Sequence, residues 1–256
     1  MRIRLDIRYK GTNYFGWQKQ ADKPTIQEEL EKALFHLFKV ELKTQGSGRT
    51  DAGTHAYQQV VDFEIQQDVS HYDIFRGLNR YLPPDIRVTE VFLVPDNFNS
   101  LRSAISKTYL YKINNDSFAC PLSADLTYWV QNKLDIEYLN QITQAIIGVH
   151  DFSSFQTTGT PLFTTVREIY SAEWSQGPEN EVWFKITGNG FLKQMVRNIV
   201  GTLLDGHWKQ AHSLESIQKI LESKSRARAG STAPAQGLYL YEVKYPSDLD
   251  KKSLKS

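Results

Sequence analysis

Alternation between apolar and polar residues predicts a strand at the start of the chain. In residues 2–10, apolar side chains from Ile3 to Tyr9 alternate with charged ones, which is typical of a strand with one buried face. Residues 25–39 instead place apolar side chains three and four positions apart. This spacing predicts an amphipathic helix, and Thr25 followed three residues later by a glutamate predicts its N-cap.

The same two periodicities continue to the end of the chain. Further predicted strands are 57–65, 86–94, 107–114, 166–174, 181–187 and 238–244, and further predicted helices are 70–81, 135–147, 191–204 and 213–221. Strands and helices interspersed in this way predict an α+β fold with mixed, largely antiparallel sheets. The order of elements starts again near residue 104, which predicts two lobes, 1–104 and 105–246, followed by a polar tail, 247–256.

Composition narrows the class of protein. Of 256 residues, 40% are hydrophobic and 23% charged, which are ordinary values for a globular protein. The sequence contains no run of 18 apolar residues, so we expect no membrane span. The N-terminus lacks the apolar stretch of a signal peptide. The single cysteine, Cys120, cannot form an internal disulfide, so we expect a reducing, cytoplasmic setting. Because the net charge is only +1, any surface that binds nucleic acid must be locally basic.

The segment from Gly46 to Ala56 has the richest chemistry. It reads Gly-Ser-Gly-Arg-Thr-Asp-Ala-Gly-Thr-His-Ala, and its three glycines permit a tight turn. Such a turn can aim both Arg49 and Asp51 into one cleft. A guanidinium favours the ionised form of a neighbouring carboxylate, which can then attack an electrophilic carbon. An ordinary surface turn with an Asx hydrogen bond explains the same residues, and the loop alone leaves both interpretations open.

Several segments, in order, resemble the tRNA pseudouridine synthase A family. They are Gly16-Trp17-Gln18, Thr25-Ile26-Gln27, the loop 46–53, Lys107-Thr108-Tyr109-Leu110-Tyr111, 148–155, 190–201 and 233–238. The resemblance implies a pseudouridine-synthase-like core with the active-site cleft between the two lobes. It also implies an isomerase that converts uridine to pseudouridine at positions 38, 39 and 40 of the tRNA anticodon stem-loop. A homodimer is implied as well, with no cofactor, no metal and no membrane partner.

The resemblance also implies roles for individual residues. Asp51 would be the nucleophile and would act on a flipped-out base; attack on C1′ and attack on C6 both remain open. Arg197 would pair with Asp51, Arg49 would fill the gap left by the base or contact phosphate, and Tyr109 would support the uracil. Candidates for contact with the RNA backbone are Lys107, Lys193, Arg226 and Arg228, with Arg76, Arg80, Arg87 and Arg102 as further basic residues.

Two other functions compete with this one. A non-catalytic RNA-binding protein could keep the same fold without needing Asp51. A phosphate-binding enzyme could use the glycine-rich loop, but the loop lacks the Gly-Lys-Ser/Thr ending of a P-loop. His150-Asp151 has no further ligands at metal-site spacing, so we interpret it as a structural polar turn.

Overall fold

The structure is a computed structural model that describes residues 1–67, 69–157, 164–209 and 213–249, the side chain of Lys209 excepted. The chain forms two compact units. The first contains Met1–Lys107 and the described residues from Tyr239 onward, and the second contains Thr108–Leu238. The last strand therefore lies with the first unit, whereas the sequence division placed it in the second lobe. The reason is that this strand pairs with a strand of the first unit, with Tyr239 opposite His55. From residue 250 onward, the predicted tail lies outside the described residues.

The elements follow the predicted order. The strands are β1 (Arg2–Tyr9), β2 (Gln45–Gly46), β3 (His55–Glu64), β4 (Ile86–Val94), β5 (Ser106–Asn114), β6 (Tyr128–Trp129), β7 (Gly148–Asp151), β8 (Val166–Gln176), β9 (Glu181–Gly188) and β10 (Leu238–Lys244). The helices are α1 (Ile26–Phe38), α2 (His71–Tyr81), α3 (Ile136–Thr143), α4 (Met195–Lys209) and α5 (Leu214–Ser223).

In the first unit the strands are ordered β4-β1-β3-β10, and β2 also pairs with β3. β1 runs antiparallel to both β3 and β4, while β10 runs parallel to β3, with Tyr239 opposite His55. The loop with Arg49 and Asp51 joins β2 to β3. Because both ends of the loop enter paired strands, its two ends are fixed by the sheet.

β1 corrects the expectation of one polar face. Arg4 and Asp6 are only 2% and 5% exposed, because β1 is a central strand and its second face is also covered. The Arg4 Nε donates to the Asp6 carboxylate at 2.8 Å, and the guanidinium lies over the rings of Phe92 and Tyr245. A buried ion pair needs such partners, since each charge has lost its water.

Helices α1 and α2 cover part of this unit. The side chains of Thr25 and Ser70 cap their N-termini by accepting backbone N–H groups, as the sequence predicted. The two helices approach closely where a Cβ on Gly77 would lie 2.6 Å from a Leu37 methyl group. The glycine therefore permits the contact between α1 and α2.

In the second unit the strands are ordered β5-β9-β8-β7, and β6 lies beside β5. α4 begins four residues later than predicted, because Gln194 has a φ of +59°, which an α-helix cannot contain. Its predicted apolar stripe of Met195, Ile199 and Leu203 is buried. α3 ends at Thr143, and a 3₁₀ turn, Gln144–Ile146, completes the predicted helix.

The predicted α+β class with largely antiparallel sheets is confirmed. Only the β3–β10 and β5–β6 pairings are parallel among the registers determined for the described residues. The sequence missed β2, β6 and β7, because strands of two to four residues are too short to show a periodicity. Over the described part of the chain, no helix combines the length and apolar character needed to span a bilayer.

Candidate active site

The loop between β2 and β3 alternates in exposure across its charged residues. Arg49 is exposed, Thr50 is buried at 7% exposure, and Asp51 is half-buried. The buried Thr50 therefore anchors the loop between an exposed cation and a half-buried carboxylate.

Backbone hydrogen bonds hold this loop against the segment that follows β1. The Trp17 amide donates to the Thr50 carbonyl oxygen at 3.1 Å, and the Gly53 amide donates to the Tyr14 carbonyl oxygen at 3.2 Å. Within the loop, the Thr54 amide donates to the Asp51 carbonyl oxygen at 3.1 Å. Asp51 therefore sits in a turn that is closed from within and fastened at both ends.

The loop glycines serve different purposes. Gly53 has a φ of +77°, which favours glycine as the sequence predicted. At Gly46 the reason is space, because a Cβ there would lie 2.6 Å from the indole ring of Trp17. A Cβ on Gly48 would meet only the Lys107 Nζ, at 3.6 Å, which is ordinary contact. Two of the three glycines are thus required by the geometry of the turn.

Arg197 lies in the first turns of α4 and is half-buried. Its Nε donates to the Ala233 carbonyl oxygen at 2.7 Å. The next carbonyl oxygen, that of Pro234, accepts the buried hydroxyl of Tyr111 at 2.7 Å. Burial raises the pKa of Tyr111 well above its usual value, and the nearby charge of Arg197 opposes that shift. The segment 233–234 is therefore held by both side chains.

Tyr109 lies two residues before Tyr111 on β5 and is 8% exposed. Its ring makes an edge-on contact with Phe191, with the ring centroids 5.0 Å apart. This contact orients the plane of the tyrosine ring. Asp51 and Arg49 belong to the first unit, and Tyr109 and Arg197 to the second; the ion pair between Asp51 and Arg197 stays a prediction.

The four candidates for RNA contact differ in their surroundings. Lys193 and Arg228 are exposed, and Lys107 is half-buried. Arg226, in contrast, donates to the carbonyl oxygens of Ala229 and Gly230 and to the side chains of Asn198 and Thr232, at 2.8–3.3 Å. Its guanidinium fastens the basic segment to α4, which is a structural role that the sequence did not indicate.

The Asp151 carboxylate is likewise held by hydrogen bonds and an ion pair. It accepts hydrogen bonds from the Ser153 amide at 3.0 Å and the Thr165 hydroxyl at 2.6 Å, and it pairs with the Lys224 Nζ at 3.1 Å. Burial raises the pKa of Asp151, but these partners together lower it to about 2. The described residues contain no group of three or more His, Cys, Asp or Glu side chains suited to hold a metal ion.

Sequence reasoning missed the side chains that support the loop from within. Tyr9, at the end of β1, places its hydroxyl 2.9 Å from the Thr50 hydroxyl. Gln59, on β3, is fully buried and hydrogen-bonds to Ser47 and Gly48. Tyr9 matched the pattern of a core strand and Gln59 that of a polar strand residue. The local sequence reads Tyr57-Gln58-Gln59-Val60-Val61, which contains no signal that separates Gln59 from its neighbour Gln58.

Comparison with known proteins identifies the family. A family model described as tRNA pseudouridine synthase matches residues 7–100 and 142–246, which together make up most of the chain. This chain belongs to the tRNA pseudouridine synthase family. The matched ranges contain Asp51 and Arg197, whereas Tyr109 lies between them.

Individual relatives agree with the family model. A tRNA pseudouridine synthase A from Bdellovibrio bacteriovorus is 41% identical over 260 residues, covering 99% of this chain and 98% of that protein. One from Francisella tularensis is 40% identical, covering 98% and 96%. A tRNA pseudouridine synthase A 2 from Clostridium tetani is 41% identical, covering 95% and 98%. Among solved structures, a Cbf5-Nop10-Gar1 complex aligns at a TM-score of 0.36 and 9% identity, over 79% of this chain and 54% of that one.

Proposed function

We propose that this chain isomerises uridine to pseudouridine at positions 38, 39 and 40 of the tRNA anticodon stem-loop. The observation that carries the proposal is Asp51, held half-buried in a fastened turn within the range matched by the family model. The relatives named tRNA pseudouridine synthase A, aligned over nearly their whole length, support tRNA as the substrate.

The reaction is a rearrangement within one nucleotide. The bond between N1 and C1′ breaks, the uracil turns, and a bond forms between C5 and C1′. C5 then loses its proton and N1 gains one, so that no atom is added or removed overall. A carboxylate such as Asp51 is suited to form a transient covalent bond to the nucleotide during this exchange. The base must leave the stem first, because a stacked base hides the bond that reacts.

The remaining candidates take supporting roles in this proposal. Tyr109, with its ring plane fixed by Phe191, supports the uracil, and stacking of this kind contributes about 1–3 kcal/mol. Arg197 provides the positive charge for Asp51. Arg49 is exposed, as it must be to enter the space vacated by the base or to contact phosphate.

Contact with the RNA backbone falls to Lys107, Lys193 and Arg228 in this proposal. The latter two are exposed, and backbone phosphates attract accessible cations through counterion release. Arg226 is left out, because its guanidinium already donates to four groups of the chain. Its proposed role is to hold the segment that presents Arg228.

The decisive experiment compares wild type with Asp51→Ala. Pseudouridine formation is followed by tritium release from tRNA that contains [5-³H]uridine, and binding is followed with the same tRNA. We expect release from wild type, none from the variant, and binding by both. Release of tritium by the variant would refute the assignment of Asp51 as the nucleophile. No release from either protein, with binding retained, would instead favour a non-catalytic RNA-binding protein.

Position specificity, assembly and location are separate proposals. Mapping pseudouridines in tRNA from cells without this protein should show loss at positions 38, 39 and 40 only. We further propose a homodimer that works in the cytoplasm. Sedimentation equilibrium would show twice the chain mass of 29.4 kDa if the dimer forms.

A further inference from the structure

Thr50, the residue between Arg49 and Asp51, is held at two points. Its hydroxyl lies 2.9 Å from the Tyr9 hydroxyl, and both side chains are buried. Its carbonyl oxygen accepts the Trp17 amide at 3.1 Å. Gly16 encloses the same oxygen, because a Cβ on Gly16 would lie only 2.4 Å from it. Thr50 therefore cannot shift without losing a hydrogen bond or colliding with this backbone.

Gln59 supplies a second support, for the residues that precede Arg49. Its Nε2 donates to the Gly48 carbonyl oxygen at 2.8 Å, and the Ser47 hydroxyl donates to its Oε1 at 2.6 Å. Gln59 thus holds Ser47 and Gly48, and Tyr9 holds Thr50. Together these hydrogen bonds of two buried side chains form a polar network that supports the loop.

The polar character of this network matters for its effect on the loop. Apolar packing would fill the same space but would not fix where a backbone carbonyl points. Hydrogen bonds are directional and weaken steeply as the angle bends, so they fix both position and orientation. A glutamine with no exposed surface is also expensive to bury unless both ends of its amide find partners.

We propose that Thr50, Tyr9 and Gln59 are positioning residues that fix Asp51 for attack. This inference rests on the proposed function, since it assumes that Asp51 reacts. None of the three is assigned contact with the substrate; they act through Gly48 and Thr50, which flank Arg49 and lead into Asp51. A misplacement of about 1 Å can slow an enzymatic step about 100-fold, so loosening the adjacent residue should affect rate rather than binding.

The test compares two matched substitutions, Thr50→Val and Thr143→Val. Both keep the side-chain shape and remove a buried hydroxyl that bonds to an aromatic side chain, Tyr9 in one case and Trp174 in the other. Thr143 lies on α3 and has no role in the proposed chemistry. Three quantities are measured: the single-turnover rate of pseudouridine formation, the tRNA Kd and the melting temperature.

We expect both variants to melt below wild type. Thr50→Val should reduce the single-turnover rate about 10-fold to 100-fold and leave the tRNA Kd within about twofold, as expected for a displaced nucleophile. Thr143→Val should keep the wild-type rate, and Thr50→Ser, which retains the hydroxyl, should recover most of it. Tyr9→Phe breaks the same hydrogen bond from the other side and serves as the second variant if Thr50→Val is recovered poorly.

Two results would overturn the inference while leaving the proposed function intact. One is an unchanged rate in Thr50→Val and Tyr9→Phe. The other is an equal loss of rate in Thr50→Val and Thr143→Val, which would show that lower stability alone explains the effect. An inactive wild type would refute the proposed function itself. In the double variant Tyr9→Phe with Thr50→Val, the losses should be non-additive, because both changes remove one hydrogen bond.

Discussion

Arg197 and Ala233 are joined by two hydrogen bonds. The Arg197 Nε donates to the Ala233 carbonyl oxygen at 2.7 Å, and the Ala233 amide donates to the Arg197 carbonyl oxygen at 3.1 Å. The side chain and the backbone of one helical residue thus hold the same residue of the segment before β10. The orientation of the guanidinium is fixed by this contact, whatever its charged end binds.

Arg197→Lys should therefore reduce activity and stability by more than the exchange of one cation for another suggests. Lysine keeps the charge but has no Nε–H partway along the side chain and no planar fork. We expect the rate of pseudouridine formation to fall about tenfold or more, and the free energy of unfolding to fall by about 1 kcal/mol.

Arg8→Lys is the matched control for that change. The Arg8 Nε also donates to a backbone carbonyl oxygen, that of Tyr57 at 3.1 Å, but its side chain is exposed. Steady-state kinetics and urea unfolding of the two variants should separate them. If Arg8→Lys and Arg197→Lys lose rate equally, orientation of Arg197 is not the cause.

Gly16→Ala should destabilise the first unit strongly. Gly16 has a φ of +89°, and an added Cβ would lie 2.4 Å from the Thr50 carbonyl oxygen. Since strain and collision act together, we expect a loss of about 2–4 kcal/mol in the free energy of unfolding. Gly190→Ala should change it by less than about 1 kcal/mol, because the new Cβ would meet only the Arg167 side chain, at 3.7 Å. Similar losses in urea unfolding would contradict this account.

The free energy of unfolding should depend on pH through Asp151. Burial raises its pKa, but hydrogen bonds and Lys224 lower it to about 2 from the ordinary value of 3.8. The ionised carboxylate therefore stabilises the folded chain above about pH 4, and this contribution is lost as the pH falls towards 2. The side chain is partly exposed, so we expect about 1 kcal/mol. Asp151→Asn should remove this part of the pH dependence of unfolding, and an unchanged pH profile would refute it.

Binding of tRNA should weaken as the salt concentration rises, because particular cationic side chains contact phosphates. Replacement of exposed Arg228 or Lys193 by alanine should reduce the slope of log K against log salt by about 1 if the replaced side chain neutralises one phosphate. Lys32→Ala is the control, because Lys32 is also exposed but pairs with Glu28 and Glu29 on α1. Filter binding at several salt concentrations gives the slopes. Equal slopes for all variants and wild type would show that neither candidate binds phosphate.

The sequence by itself determined the longer elements and the caps at Thr25 and Ser70, because these depend on neighbours within a few positions. The strand at 86–94, the cap at Ser70 and the stripe on α4 follow from local periodicity and local hydrogen bonding. The glycine-rich loop and its carboxylate were also visible, since they form one continuous segment.

Only the tertiary structure decided which distant residues support that segment. Tyr9 reaches the loop because β1 pairs with β3, and Gln59 reaches it because β3 pairs with β2. Nothing in their local sequence indicates either pairing. Arg4 and Asp6 follow the pattern of the solvent-facing side of a strand, yet they are buried, because aromatic side chains pack over Arg4 on that face. These are Phe92, Phe98 and Tyr245. Local patterns specify elements, whereas burial and support depend on which elements become neighbours, and this is settled only when the chain folds.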